Sequence, residues 1–270
     1  MKAIFVLALG ALTAFLTAKL NNWSIINIYS FALFFIVPVG GALYGFAANT
    51  GVYGAARLLH LQPGKALFAI TILVASFASF LHYYLAYKAQ RIGGVVPISS
   101  VMPFGDYLRL SITTAEIQVG TRRGVHGSMG QAGSGGYFFA IVDYVGAIIG
   151  GISMYFVLNG IARCPKCGNF QDAVAKRNLA FPSVMDRYAF QQSLTETVAG
   201  SEEFMKAMEQ CSSLSTEDKT SANARLSLFR CCDCRTQTLE IVERKTSNDE
   251  RDVTTRVEVP RGLALDRFLR

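Results

Sequence analysis

Histidine occurs only three times in these 270 residues, at His60, His82 and His126, and tryptophan once. Charged residues make up 17%, against roughly 25% in an ordinary soluble domain. So little histidine leaves few general bases and few nitrogen ligands. There is no His-Glu-x-x-His run, no Ser-His-Asp order and no Gly-x-x-x-x-Gly-Lys loop, which removes the hydrolases and nucleotide-binding enzymes recognisable by those signatures. Paired carboxylates suited to acid–base work are missing as well. The expectation is that the chain is not an enzyme.

Acids are scarcest in the front of the chain. Residues 1–160 hold three (Asp106, Glu116, Asp143) against nine Lys/Arg, whereas residues 161–270 hold sixteen against seventeen. The net charge of +7 therefore divides into +6 and +1. A nucleic-acid binder would concentrate base on its water-soluble part, and here that part is nearly neutral, so no nucleic-acid partner is expected. Basic residues set between apolar runs read instead as topology anchors and lipid-headgroup contacts. A mean hydropathy of +0.31 and 51% hydrophobic residues agree with that reading.

The apolar runs predict an all-α membrane domain over 1–162, with four transmembrane helices at about 3–20, 25–48, 66–86 and 137–161. The first run is sixteen uncharged residues between Lys2 and Lys19, just short of the roughly 17–25 that span a bilayer. The two lysines can snorkel and extend it. The same residues also read as a cleaved signal peptide. Two Gly-x-x-x-Gly pairs, Gly41/Gly45 and Gly146/Gly150, predict close helix approach and a homo-oligomer through those faces; plain tolerance of glycine in membrane helices is the other reading. Residues 104–119 have apolar positions at helical spacing, predicting an amphipathic helix that lies on the membrane or packs on its own bundle. Residues 120–136 predict a glycine-rich loop.

Residues 163–270 carry the chemistry. Cys164-Pro165-Lys166-Cys167-Gly168 and Cys231-Cys232-Asp233-Cys234 are two Cys-x-x-Cys pairs. Each can grip one ion from a tight turn, and together they offer four thiolates, a closed structural set. Proline fixes the start of the first turn, and Gly168 tolerates the positive φ that lets it close. These pairs, with strand-like runs near 226–230, 236–244 and 252–259, resemble the zinc-ribbon family of small modules. The resemblance implies Cys164, Cys167, Cys231 and Cys234 as ligands of a structural Zn2+, with Cys232 able to replace a neighbour. It departs from the family in spacing: 63 residues separate Cys167 from Cys231, where roughly 15–20 are usual. Residues 171–224 are read as a helical insertion into a small α+β domain, with Pro182 opening one stretch and Ser201 capping another. Cys211 is expected in the core. A thiol redox pair or an iron–sulfur cluster are the rival readings of the cysteines.

One acid falls inside a span. Asp143 lies in the fourth apolar run, and an ionised carboxylate there is costly unless paired or wet. His82, near the end of the third run, is its expected partner as an intramembrane polar pair, either a structural hydrogen bond or a proton site. The primary functional expectation is an inner (plasma) membrane, multi-pass protein with both termini cytosolic, where reduced thiols persist. Its zinc-binding domain would dock a protein partner as a scaffold. A small transporter or channel subunit using Asp143/His82 is the alternative, and a thiol–disulfide protein a weaker one.

Overall fold

A computed structural model describes residues 2–23, 29–30, 37–120, 126–214, 222–244, 253–260 and 263–269. The chain divides into two compact units, Met1–Gly160 and Ile161–Arg270.

The first unit is built from helices α1 (Lys2–Trp23), α2 (Val39–Ala48), α3 (Thr50–Leu58) and α4 (Lys65–Ala89), then a minimal ladder of β1 (Arg91–Ile92) and β2 (Val96–Pro97). Helix α5 (Phe104–Thr113), the hairpin β3 (Glu116–Gly120) and β4 (His126–Gln131), and helix α6 (Gly136–Asn159) complete it. Its packing inverts that of a water-soluble bundle. Helix α1 buries Gly10, Ala14, Ala18 and Asn21 and exposes Ile4, Phe5, Leu12, Leu16 and Leu20. Helix α6 likewise buries Asp143, Gly146, Ala147, Gly150 and Gly151 and exposes Phe138, Ile141, Val145, Ile149 and Phe156. Small and polar groups inside with large apolar groups outside is the arrangement a lipid solvent favours, because lipid gives no drive to bury leucine. Among the described residues three helices are long and apolar enough to cross a membrane: Lys2–Trp23, Lys65–Ala89 and Gly133–Asn159.

The second expected span, 25–48, falls largely on residues outside those described. Its described helix, α2, has ten residues, about 15 Å of helix, and is followed by α3 after a break at Asn49. The contacts of this segment nevertheless run in one direction. The Tyr29 ring lies 4.6 Å from that of His82. Tyr44 Oη donates to Ala78 O (2.8 Å) and Thr13 Oγ1 to Ala48 O (2.7 Å). Lys2 Nζ reaches Leu59 O (3.4 Å). At the opposite end, Asn22 Nδ2 donates to His82 O (3.1 Å). Helices α1 and α4 thus run parallel, and the described residues between them meet both in the reverse order.

The two glycine pairs expected to join separate copies face each other inside one chain. A Cβ on Gly45 would collide with the backbone carbonyl of Ala147, and one on Gly150 with that of Ala42. Backbone-to-backbone approach of α2 and α6 thus pairs the two faces within one chain.

Two other expectations meet a different structure. The helix expected over 104–119 ends at Thr113, where Tyr107 packs with Tyr87 and Ile98. Residues 116–120 form β3, paired with β4 within the stretch expected as loop. The β-branched run Ile112, Thr113, Thr114, Ile117 and Val119 favours that change of geometry.

The second unit is a four-stranded antiparallel sheet in the order β5 (Gln171–Phe181), β6 (Ala222–Cys231), β7 (Gln237–Arg244), β8 (Val253–Val259). Helices α7 (Val184–Thr195) and α8 (Glu202–Ser213) connect β5 to β6. Ser183 and Ser201 cap them, accepting from Asp186 N (3.1 Å) and Phe204 N (3.2 Å). Phe190, Leu194, Phe204, Met208 and Cys211 from the helices meet Leu226, Leu228, Leu239 and Ile241 from the sheet in one core.

The glycine seam yields a paired prediction. Gly45→Leu should destabilise the solubilised protein by about 1–3 kcal/mol through overpacking. Gly54→Ala, where an added Cβ meets nothing within 4 Å, should be neutral or slightly stabilising. Thermal unfolding in detergent checks both; equal effects would contradict the seam.

Candidate metal centre

Both cysteine pairs sit in turns of the same construction. In the first, Gly168 N donates to Cys164 O and Cys164 N to Asn169 O, both at 2.9 Å. In the second, Arg235 N donates to Cys231 O (3.1 Å) and Cys231 N to Thr236 O (2.9 Å). The residue after each second cysteine takes a left-handed backbone: Gly168 at φ +74° and Arg235 at φ +56°. Glycine does so freely, while arginine does so at a cost of about 1–2 kcal/mol, which the turn's hydrogen bonds offset.

The strands bring the turns together. Strand β5 leaves the first turn and β6 returns to the second, with Gln171 opposite Cys231 and Phe181 opposite Ala222. The 63-residue separation therefore closes as one long hairpin carrying two helices at its far end. The insertion expected to be helical is a strand over its first eleven residues. Its middle, Lys176-Arg177-Asn178, has no apolar alternation, and only Leu179, Ala180 and Phe181 at its end are buried as a run.

The four sulfurs converge. Cys164 Sγ lies 3.2 Å from Cys234 Sγ, Cys167 Sγ 3.4 Å from Cys231 Sγ and 3.7 Å from Cys234 Sγ. All four lie within 4.8 Å of one another, compatible with a metal ion. These spacings exceed a disulfide bond of about 2.05 Å. They approach the edge of about 3.8 Å expected when four sulfurs sit about 2.3 Å from one central ion. Cys232, by contrast, is exposed and lies outside this group, and Cys211 is buried in the core. Burial pushes the Cys211 thiol up to about 12.

Supporting groups that the motif does not announce hold the turns in place. Asn169 Nδ2 donates to Asp233 Oδ2, joining one turn to the other. Buried Gln171 donates to Thr238 Oγ1 (3.1 Å). Lys166 Nζ meets Glu258 Oε1 of β8 at 3.0 Å. Thr236 matters most to the chemistry: its hydroxyl, 3.2 Å from Cys234 Sγ, and then its backbone hold the Cys234 thiol down to about 6. Burial pushes Cys231 up to about 12. Cys234 therefore ionises more readily than Cys231, whose proton a bound metal would displace.

The proposed intramembrane pair is not joined. His82 and Asp143 are both buried, yet His82 Nδ1 lies 3.1 Å from Asn21 Nδ2. Among the described residues no hydrogen bond or ion pair links it to Asp143. Asn21 and Tyr29, which embrace the imidazole, gave no signal in sequence. His60 lies in the turn after α3, and His126 begins β4.

Comparison with protein-family models, curated proteins and solved structures finds no match for the chain. Its function must be read from its own geometry.

Because ligating thiols must lose their protons, metal uptake at neutral pH should release protons, Cys231 among their sources. Affinity should rise with pH, and its pH dependence should steepen below about 6, where Cys234 also holds its proton. Titrating metal into metal-free protein in weak buffer measures this directly; proton-neutral uptake would contradict it.

Proposed function

We propose that the chain is a multi-pass membrane protein whose water-exposed unit is folded around a structural zinc ion and serves as a membrane-anchored docking module for a protein partner. The convergence of the four cysteine sulfurs carries this reading. Four thiolates leave no open coordination position, which suits a structural rather than a catalytic role. Their proximity supports a single ion over an iron–sulfur cluster, whose several metal and sulfide atoms would hold the thiolates further apart. It equally disfavours thiol exchange as the working chemistry, because a thiolate bound to metal is not free to attack a disulfide. The sheet with its two knuckles supports a zinc-ribbon-like fold, enlarged by β5, α7 and α8.

The membrane unit supports four crossings rather than three. Parallel α1 and α4 require a return path, and the one-way contacts of Tyr29, Tyr44, Ala48 and Leu59 trace it. Helix α6 runs antiparallel to α4, with Tyr155 5.2 Å from Phe68 and Tyr144 Oη 2.9 Å from Ser76 Oγ. This returns the chain to the side on which it began. Both termini then share one side, and a centre built on reduced thiols favours the cytosolic side of a plasma (inner) membrane.

Zinc binding supplies roughly 10 kcal/mol or more of folding free energy in small modules. Cys164→Ser should therefore abolish stoichiometric zinc and make residues 161–270 protease-sensitive, while the apolar helices stay inserted. Elemental analysis with limited proteolysis in membranes tests this. A Cys164→Ser protein that keeps its zinc and its protection would sink the proposal.

A further inference from the structure

We propose that the cavity beside the second knuckle binds a phosphate group. The cavity measures about 740 Å³ and is lined by Asp172, Arg230, Cys232, Arg235 and Gln237, together with neighbouring residues of the same sheet. Two guanidinium groups and one carboxylate line it. Asp172 lies directly opposite Arg230 across the β5–β6 ladder, which places both side chains on one face of the sheet. The excess positive charge is that of one arginine.

Two features prepare these arginines for an anion. Arg235 is launched from a fixed base, because its left-handed backbone is tied to Cys231 O at 3.1 Å. A side chain presented from a rigid turn loses less freedom on binding. Arg230 Nε is buried and has no hydrogen-bond partner among the described residues, and buried donors in folded proteins are almost always satisfied. A phosphate offers several acceptor oxygens, and the planar guanidinium fork matches them in pairs. Gln237 at the cavity's wall accepts from Arg230 Nη2 (3.2 Å) and donates to Leu263 O (3.1 Å), which holds the Arg230 guanidinium in place. Free phosphate and a phospholipid headgroup share this chemistry.

The competing role for the arginines is to offset the negative charge of the thiolate centre, and one experiment separates the two. Cys232 is exposed and lines the same cavity, so its alkylation by iodoacetamide reports occupancy. The full-length, zinc-loaded chain is placed in nanodiscs of neutral lipid and titrated with inorganic phosphate at constant ionic strength. A second set of nanodiscs contains phosphatidylglycerol and no phosphate. Saturable slowing of Cys232 alkylation in the first arm identifies free phosphate as a ligand, and slowing in the second identifies the headgroup. Either supports the site. Arg235→Gln should raise the half-protecting concentration about tenfold, as loss of a charged hydrogen bond predicts, with zinc retained. Asp172→Asn should lower it.

Absence of protection in both arms would overturn the proposal. So would protection unchanged by Arg235→Gln, or an Arg235→Gln protein that loses zinc together with an Asp172→Asn protein that binds phosphate no better. A chain without zinc would contradict the metal reading instead, so the two failures are distinguishable.

Discussion

The antiparallel ladder between β5 and β6 is the constraint on which the water-exposed unit depends. It sets Gln171 against Cys231, and so places the turn that begins at Cys164 beside the turn that ends at Cys234. The connection between β5 and β6 can vary in length without moving the sulfurs, because loop length costs little free energy once the ends are pinned. The same ladder delivers Leu179 and Phe181 to the helices α7 and α8. Cysteine cluster and apolar core are thus at opposite ends of one pair of strands, and loosening either end would weaken the other.

The membrane unit obeys a separate rule. With lipid as solvent, helix contact comes from close backbone approach and from polar groups that find partners inside. The glycines of α2 and α6 provide the first. Asn21, Asn22, Tyr29 and Tyr44 provide the second, around His82 and along α4. The inversion of small residues inward and large apolar residues outward is itself the strongest physical sign of a bilayer around α1 and α6. It distinguishes these helices from merely apolar ones.

Much of this was legible in the amino-acid order. Cys-x-x-Cys pairs announce a metal-binding turn because the chemistry leaves few ways to satisfy two thiolates from one loop. Ser201 before Glu202 and Glu203 announced a helix start, and long uncharged runs announced α1, α4 and α6. Strand β5 was not legible: its charged middle faces water, and only pairing with β6 makes it a strand. The hairpin β3–β4 was hidden in the same way behind helical spacing. The glycine pairs signalled close approach but not its partner, since spacing says nothing about whether the facing helix belongs to the same chain. Asp143 and His82 shared a depth in sequence, yet their bearings around their helices come from packing. Asn21 and Tyr29 reached the imidazole first.

The central claim is that one zinc ion is held by four cysteine sulfurs. X-ray absorption at the zinc edge on the purified full-length protein tests it most directly. The account predicts one zinc per chain with a single shell of four sulfurs at about 2.3 Å. A shell containing nitrogen or oxygen, an iron signal in place of zinc, or no bound metal would contradict it.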